Sequence, residues 1–346
     1  MVGYHTPILF LVFNRPAVTA RVFESIRAQR PHRLFVAADG PRPERDGDAA
    51  LCAETRRLAT AVDWPCEVTT LFRENNLGCG NAVSTAIGWF FSLVEEGIIL
   101  EDDCLPHPDF FRFCATMLER YRNDGRVALV TGDHFIPASL ACTHSHYFSK
   151  YAQIWGWATW RRTWETYDRH LTSLPVAGWD AIVRRLSPTM IEREYWLDVL
   201  RSLLAGNIDT WDYQLIFSLW KTGGLTVAPH RNLICNLGYG PDATHTSFDG
   251  TLAEQPTGPL SLALGDQPPV VADPALDEFT FFVRFLERFT QTWWIEQALS
   301  PGKKLGEARV ELGRKERYIR ELENEIRDKR RQLRLATDAL ARMQAT

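Results

Sequence analysis

The chain has 346 residues, 45% of them hydrophobic and 24% charged, with a formal net charge of −4. This composition fits a globular protein of one large domain or two small ones, and the slight negative charge excludes a nucleic-acid surface as the main partner. Seven cysteines at 52, 66, 79, 104, 114, 142 and 235 include no CxxC pair, which argues against a zinc site and for reduced thiols in a cytoplasmic protein.

The first apolar run, Pro7 to Phe13, is too short for a signal peptide and ends in Asn-Arg-Pro. The longest, Ile87 to Leu100, is broken by Glu95 and Glu96, so no run reaches the roughly 20 residues of a membrane helix. The expected place is the cytoplasm, at most peripheral to a membrane.

Short apolar runs alternate with amphipathic stretches from the start of the chain. Ile8–Phe13, Leu34–Ala38, Val68–Phe72, Ile98–Leu100 and Val127–Val130 read as strands buried on both faces. Val18–Gln29, Ala49–Ala61, Asn81–Glu95 and Asp109–Tyr121 read as the helices between them. Such alternation predicts an α/β protein with a mostly parallel, Rossmann-like sheet sandwiched by helices, and ligands beyond the carboxyl ends of the strands. From about 147 to 250 the pattern is irregular and Trp-rich, with a strand at Leu225–Ala228. Residues 251–272 read as a loop and 274–298 as an aromatic amphipathic helix.

Four strand ends are polar. Arg15 follows the first strand, beside Pro16 as helix starter, and is a candidate nucleotide contact. Asp39 ends the second, where a carboxylate could accept the imide N–H of a uracil; Asp-Gly-Pro is equally strong turn chemistry. The third opens a loop, Arg73 to Asn81, in which Asn76, Gly78 and Gly80 precede a helix. Its free N–H groups suit ribose, phosphate or hexose. It lacks the third glycine of a dinucleotide fingerprint, since Val83 stands there. The fourth gives Glu101-Asp102-Asp103. Clustered carboxylates repel and resist desolvation, a cost that a hard cation such as Mg²⁺ or Mn²⁺ removes. A plain acidic helix start, with Asp109 close behind, is the competing reading.

Trp155, Trp157 and Trp160 form a dense aromatic segment that could stack on an acceptor sugar or simply fill the core. Asp212 lies between Trp211 and Tyr213 near a helix start, as a general base in restricted solvent or as a cap. His245, after a Gly-rich loop, is a candidate metal or phosphate contact.

Beyond Pro301-Gly302, Leu305, Leu312, Ile319, Ile326, Leu333 and Leu340 recur every seventh position, while Lys315 and Lys329 interrupt the companion column. A coiled coil or a single exposed helix fits, giving a homodimer or partner contact through 303–345. The expected division is 1–300, with nucleotide-binding (1–135) and acceptor (136–300) halves, followed by a helix over 301–346.

Taken together, Phe13-Asn14-Arg15-Pro16, Ala38-Asp39-Gly40, Leu100-Glu101-Asp102-Asp103 with Pro108-Asp109-Phe110-Phe111, Gly156-Trp157, Trp211-Asp212 and Ala243-Thr244-His245-Thr246 resemble the GT-A fold of nucleotide-sugar glycosyltransferases. The similarity is to the N-acetylglucosaminyltransferase that starts complex N-glycans and to related bacterial sugar transferases, over about residues 5–250. It implies a metal-dependent, inverting hexosyl- or N-acetylhexosaminyl-transferase. The donor would be a nucleotide diphosphate sugar, in the first instance a UDP-sugar, and the acceptor a glycan or polysaccharide hydroxyl. In that resemblance Asp103 is the direct metal ligand, with His245 near the diphosphate, and Glu101 and Asp102 touch ribose or sugar. Arg15 and Asp39 hold the nucleobase end, and Asp212 is the base. Cys104 after the acidic triplet and Tyr213 after Asp212 depart from the family pattern, and the heptad segment has no counterpart there. A sugar-phosphate nucleotidyltransferase and a non-catalytic sugar-binding or assembly protein are the alternatives.

Overall fold

A computed structural model of the chain describes residues 4–136, 144–238, 255–260, 264 and 268–286. His245, the heptad segment and the division expected at residue 300 lie outside the described residues, as does the second half of the helix expected over 274–298.

The first 135 residues form β1 (Ile8–Val12), α1 (Pro16–Gln29), β2 (Arg33–Ala38), α2 (Asp48–Ala59), β3 (Glu67–Phe72), α3 (Cys79–Leu93), β4 (Glu96–Glu101), β5 (Cys104–Pro106), α4 (Pro108–Tyr121) and β6 (Val127–Thr131). The alternation expected from the sequence is present, within two or three residues at most ends. Then come β7 (His146–Ser149), β8 (Trp157–Trp160), α5 (Arg161–Trp164), α6 (Val176–Leu186), α7 (Met190–Leu204), α8 (Asp212–Thr222), β9 (Leu225–Pro229), β10 (Ile234–Asn236) and α9 (Pro274–Thr280).

Local chemistry explains the boundaries. Pro16 supplies the preset φ of a first helical residue in α1, and Thr19, Val22, Phe23 and Ile26 form its buried stripe. The His107 ring accepts the Asp109 N–H at 3.2 Å and so caps α4, whose phenylalanines at 110, 111 and 113 are buried. Gly97 in β4 has no room for a side chain, because a Cβ there would run into the Phe90 ring of α3.

Eight strands form one sheet in the order β3-β2-β1-β4-β8-β6-β9-β7, and β10 pairs with β5 in a small antiparallel ribbon. All strands of the large sheet except β7 and β8 run in one direction. The fold is thus the mostly parallel α/β sheet expected. One expectation fails in detail: β3 is not buried on both faces. It is the sheet edge, and Val68 and Phe72 are 37% and 38% exposed. The Arg56 guanidinium covers the Phe72 ring at 5.1 Å.

The chain steps outward from β1 to β2 to β3, then returns to the other side of β1 for β4. The strand order therefore reverses between β1 and β4, where open α/β sheets hold ligands in the crevice beyond the carboxyl ends.

Contacts divide the chain into a large unit, residues 1–134 with 142–277, and a small one, residues 135–141 with 278–346. Within the small unit the Arg284 guanidinium lies over the rings of Phe135 and Phe285, 5.9 Å from each centroid. Among the described residues no helix is long and apolar enough to cross a membrane. Cys52, Cys66, Cys79, Cys104, Cys114 and Cys235 form no disulfide; Cys142 lies outside the described residues.

Candidate active site

The reversal point brings the ends of β1 and β4 together, and with them Arg15 and the acidic triplet. The Arg15 guanidinium pairs with Asp102 and, at 3.0 Å, with Asp103. The Phe13 N–H reaches the second Asp102 oxygen at 3.4 Å. Burial opposes the Arg15 charge, but the two aspartates outweigh it and hold the guanidinium firmly protonated. Burial also pushes the Asp102 carboxyl up, against the pull of Arg15. Glu101 is pushed well above the usual carboxylate range, first by burial and then by the charges of Asp103 and Asp102. Three carboxylates thus share one guanidinium, and the cluster is short of positive charge.

Asp102 is 3% exposed, with its oxygens bound by Arg15 and the Phe13 N–H, so it lies at the floor of the cluster. The Arg15 guanidinium is engaged by Asp102 and Asp103. The Glu101 carboxylate has no hydrogen-bond donor among the described residues and remains available.

Asp103 faces the β5–β10 ribbon. Its backbone carbonyl accepts the Leu237 N–H at 2.7 Å, and the Cys104 thiol donates to its carboxylate at 3.4 Å. Gly238 lies so close that a Cβ there would overlap Asp103 Oδ2 and touch the Asn236 side-chain oxygen. Asp103 Oδ2 and Asn236 Oδ1 both lie close to Gly238, and hard oxygens of this kind are the ones that Mg²⁺ or Mn²⁺ would take. Among the described residues no three His, Cys, Asp or Glu side chains converge as a complete cage. A cation here would be held by one or two carboxylates and would need oxygens from a ligand or water to complete its shell.

The third-strand loop is fastened to the second. Asp39 accepts the Leu77 N–H at 3.0 and 3.1 Å and the Gly40 N–H at 2.9 Å. Burial nevertheless raises its carboxyl. The Asn76 side chain donates to the Gly40 carbonyl at 2.9 Å and accepts from Gly78 N at 3.3 Å. Arg73 donates to Thr85 at 2.7 Å. Asp39, Arg73 and Asn76 therefore shape the loop first, and any nucleobase contact would use what remains. The two glycines are not cleared for a ligand either. A Cβ on Gly78 would meet Asp209 at 2.8 Å, and one on Gly80 would overlap Arg169 and Asp209. Asn81 accepts from Arg169 at 3.4 Å.

Asp212 opens α8 as its first residue; the cap is Trp211. Thr210 Oγ1 and the Tyr213 N–H both donate to Asp212 Oδ1, the latter at 2.9 Å. Its Oδ2 has no donor among the described residues. Asp212 adds to the upward push on Glu101, and both carboxylates contribute, after burial, to raising the Cys79 thiol to about 12. The carboxylates at the end of β4 and at the start of α8 and the Cys79 thiol at the start of α3 therefore lie within electrostatic reach of one another.

Packing behind Asp212 explains its place and overturns another assignment. Trp157, on β8, is fully buried and stacks on Trp211 with ring centres 5.7 Å apart. Its strand pairs with β4 at Ile99 and with β6 at Thr131. Trp157 cannot touch an acceptor; it supports the turn that carries Asp212. Trp155, only 9% exposed, likewise offers little face, and its N–H is bound by Asp133 at 3.1 Å.

Asp133, Arg169, Asp209 and Asp48 did not stand out in the sequence. Gly132-Asp133 follows β6 as Asp39-Gly40 follows β2, so the strand-end rule could have found Asp133. Asp48, the first residue of α2, accepts from Asn14 at 2.5 Å and from Arg42 at 2.8, 2.9 and 3.1 Å. It ties the first two loops together. Arg169 and Asp209 come from irregular segments with no local motif.

No protein-family model matches the chain, and no curated protein matches it in sequence. Solved structures with some likeness include HddC from Yersinia pseudotuberculosis (12% identity, TM-score 0.31, covering 49% of this chain and 85% of that one). Another is an inositol-1-phosphate CTP transferase from T. maritima (10%, 0.35, 66% and 86%). A third is a cytidylyltransferase from Leptospira borgpetersenii serovar Hardjo-bovis (11%, 0.29, 60% and 73%). Likeness this slight carries no chemical argument, and the reading of function rests on the crevice.

Proposed function

We propose that the chain is a GT-A-like, metal-dependent glycosyltransferase that binds a nucleotide diphosphate sugar at the β1–β4 reversal and passes the sugar to an acceptor hydroxyl. The observation that carries this reading is that Asp212 lies within electrostatic reach of the under-neutralised Glu101–Asp103 cluster at the strand-order reversal. Asp103 would hold Mn²⁺ or Mg²⁺, which offsets charge on a departing nucleoside diphosphate. Arg15 holds the Asp102 and Asp103 carboxylates in place. The Asp39–Leu77 tie shapes the wall where the nucleoside would lie. Asp212 takes the acceptor proton on its unengaged oxygen as the acceptor attacks the anomeric carbon, inverting it.

Transfer of a nucleotide to a sugar phosphate is the second reading, and two of the similar structures are named for nucleotide transfer. It explains Asp212 less well. It also asks for cationic groups on the loop after β1, where the single guanidinium is already committed to Asp102 and Asp103.

Nucleotide sugars incubated with Mn²⁺ and mixed acceptor glycans separate the two. Release of nucleoside diphosphate, reduced about 10²–10⁴-fold by Asp212→Asn, is expected. Pyrophosphate release from a sugar phosphate plus a nucleoside triphosphate, untouched by that substitution, would replace this reading with the second.

A further inference from the structure

Residues 167–169 grip α8 and the turn that leads into it. The Tyr167 hydroxyl donates to the Trp211 carbonyl at 3.1 Å, and the Asp168 N–H donates to Ser218 Oγ at 2.9 Å. Arg169 Nη1 donates to the Thr210 carbonyl. The other end of the Arg169 guanidinium lies against α3, with Nη2 3.4 Å from Asn81 Oδ1 and 3.5 Å from Asp209 Oδ1. Gly80 lies directly beneath it, and a Cβ there would overlap Nη2. Thr210, whose carbonyl Arg169 binds, is also the residue whose hydroxyl donates to Asp212 Oδ1.

We infer that Arg169 is the positioning residue for Asp212: one planar guanidinium locks the Thr210–Asp212 turn to the Gly78–Asn81 start of α3 and so fixes the base relative to the donor. This rests on the transfer reading above. The geometry needs arginine, because two nitrogens must donate in diverging directions from a rigid fork, and an ammonium offers one compact centre. It also gives Gly80 its reason: the glycine makes room for the guanidinium. The backbone of 167–169 is held independently by Tyr167, whose ring stacks on Trp164 at 4.4 Å, and by Asp168, so shortening the Arg169 side chain leaves the segment anchored.

Arg169→Ala is compared with wild type in Mn²⁺-dependent nucleoside diphosphate release with acceptor present, and in calorimetric titration with the nucleotide sugar that wild type turns over. The expected result is a fall in kcat of about 10²-fold, the scale of an ångström-sized misplacement, with donor affinity within threefold. Added guanidinium ion should restore at least a tenth of the lost rate in Arg169→Ala, whereas methylammonium should not, and Arg169→Lys should remain slow. A loss confined to donor affinity would make Arg169 a donor ligand and overturn the inference. A fall in Tm with no guanidinium rescue would make its role merely structural and overturn it equally. Gly80→Ala supplies a readout that does not depend on activity: it should lower Tm in the wild-type background, less in Arg169→Ala, where the Asp209 carboxylate alone remains in the way, and least when Asp209→Ala is added. Equal effects in all three backgrounds would refute the contact itself. If the wild type transfers no sugar from any nucleotide sugar, the transfer reading fails and this role fails with it, whatever the unfolding data show.

Discussion

Asp48 offers a direct test of how the loops after β1 and β2 are held. Its oxygens receive the Asn14 side chain, the Arg42 N–H and two nitrogens of the Arg42 guanidinium, and it is 3% exposed. These bonds, chiefly those from the Arg42 side chain, outweigh burial and hold the carboxyl at about 2 where the ordinary value is 3.8. Each pH unit between folded and unfolded values is worth about 1.4 kcal/mol, so the interaction contributes about 2 kcal/mol at neutral pH. A lowered carboxyl favours the fold above the unfolded value. The contribution is therefore complete above about pH 5, falls as pH drops through the window from 4 to 2, and is gone below it. Asp48→Asn should thus lose about 2 kcal/mol in urea unfolding at pH 7, and the gap to wild type should narrow steadily between pH 4.5 and about 3. A gap under about 0.5 kcal/mol at pH 7, the range of an ordinary surface substitution, would refute the reasoning. So would a gap that does not change with pH. Asn14 and Arg42 sit on the loops after β1 and β2, and the Arg42 guanidinium lies over Phe13 at 5.1 Å. Donor affinity should weaken in the same variant.

Two further outcomes follow from the packing around the crevice. Gly238→Ala puts a methyl group against Asp103 Oδ2 and should weaken cation-dependent donor binding about 10- to 100-fold in titration calorimetry, as loss of a supporting neighbour does at a metal site. Undiminished affinity would remove Asp103 as the cation ligand. Trp157→Ala should cost about 3–5 kcal/mol in denaturant unfolding, because the ring is wholly buried. It should also slow turnover by loosening Trp211; full activity in the folded variant would break the proposed link from β8 to Asp212.

The β-α alternation was legible because it is written in local periodicity. The apolar runs of β1, β2, β4 and β6 alternate with amphipathic helices, and turn residues mark the ends. The edge position of β3 was not legible, since Glu-Val-Thr-Thr-Leu-Phe looks the same on an edge as inside a sheet. The acidic triplet stood out because three carboxylates after a buried strand need an explanation. Which of the three lies on the floor did not, because that depends on Arg15, 87 residues from Asp102. The tryptophans misled for a similar reason: composition gives aromatic density, while only the pairing of β8 with β4 and β6 says which way Trp157 faces. Gly78 and Gly80 were seen as openings for a ligand. They proved to be openings for Asp209 and Arg169, whose arrival no spacing near residue 80 announces.

Because β8 runs against both of its neighbours, its two ends serve opposite poles of the sheet. The residues leading into it, Gln153 to Gly156, arrive beside the acidic end of β4. Those leaving it return to the far pole, where the Arg161 N–H binds the Glu95 carbonyl at 2.7 Å. Extra residues inserted ahead of Trp157 would therefore disturb the surroundings of the acidic cluster directly, whereas an insertion after Trp164 would displace Tyr167, Asp168 and Arg169 and act through the turn that carries Asp212. The approach to β8 and its exit thus reach the same carboxylates by separate routes.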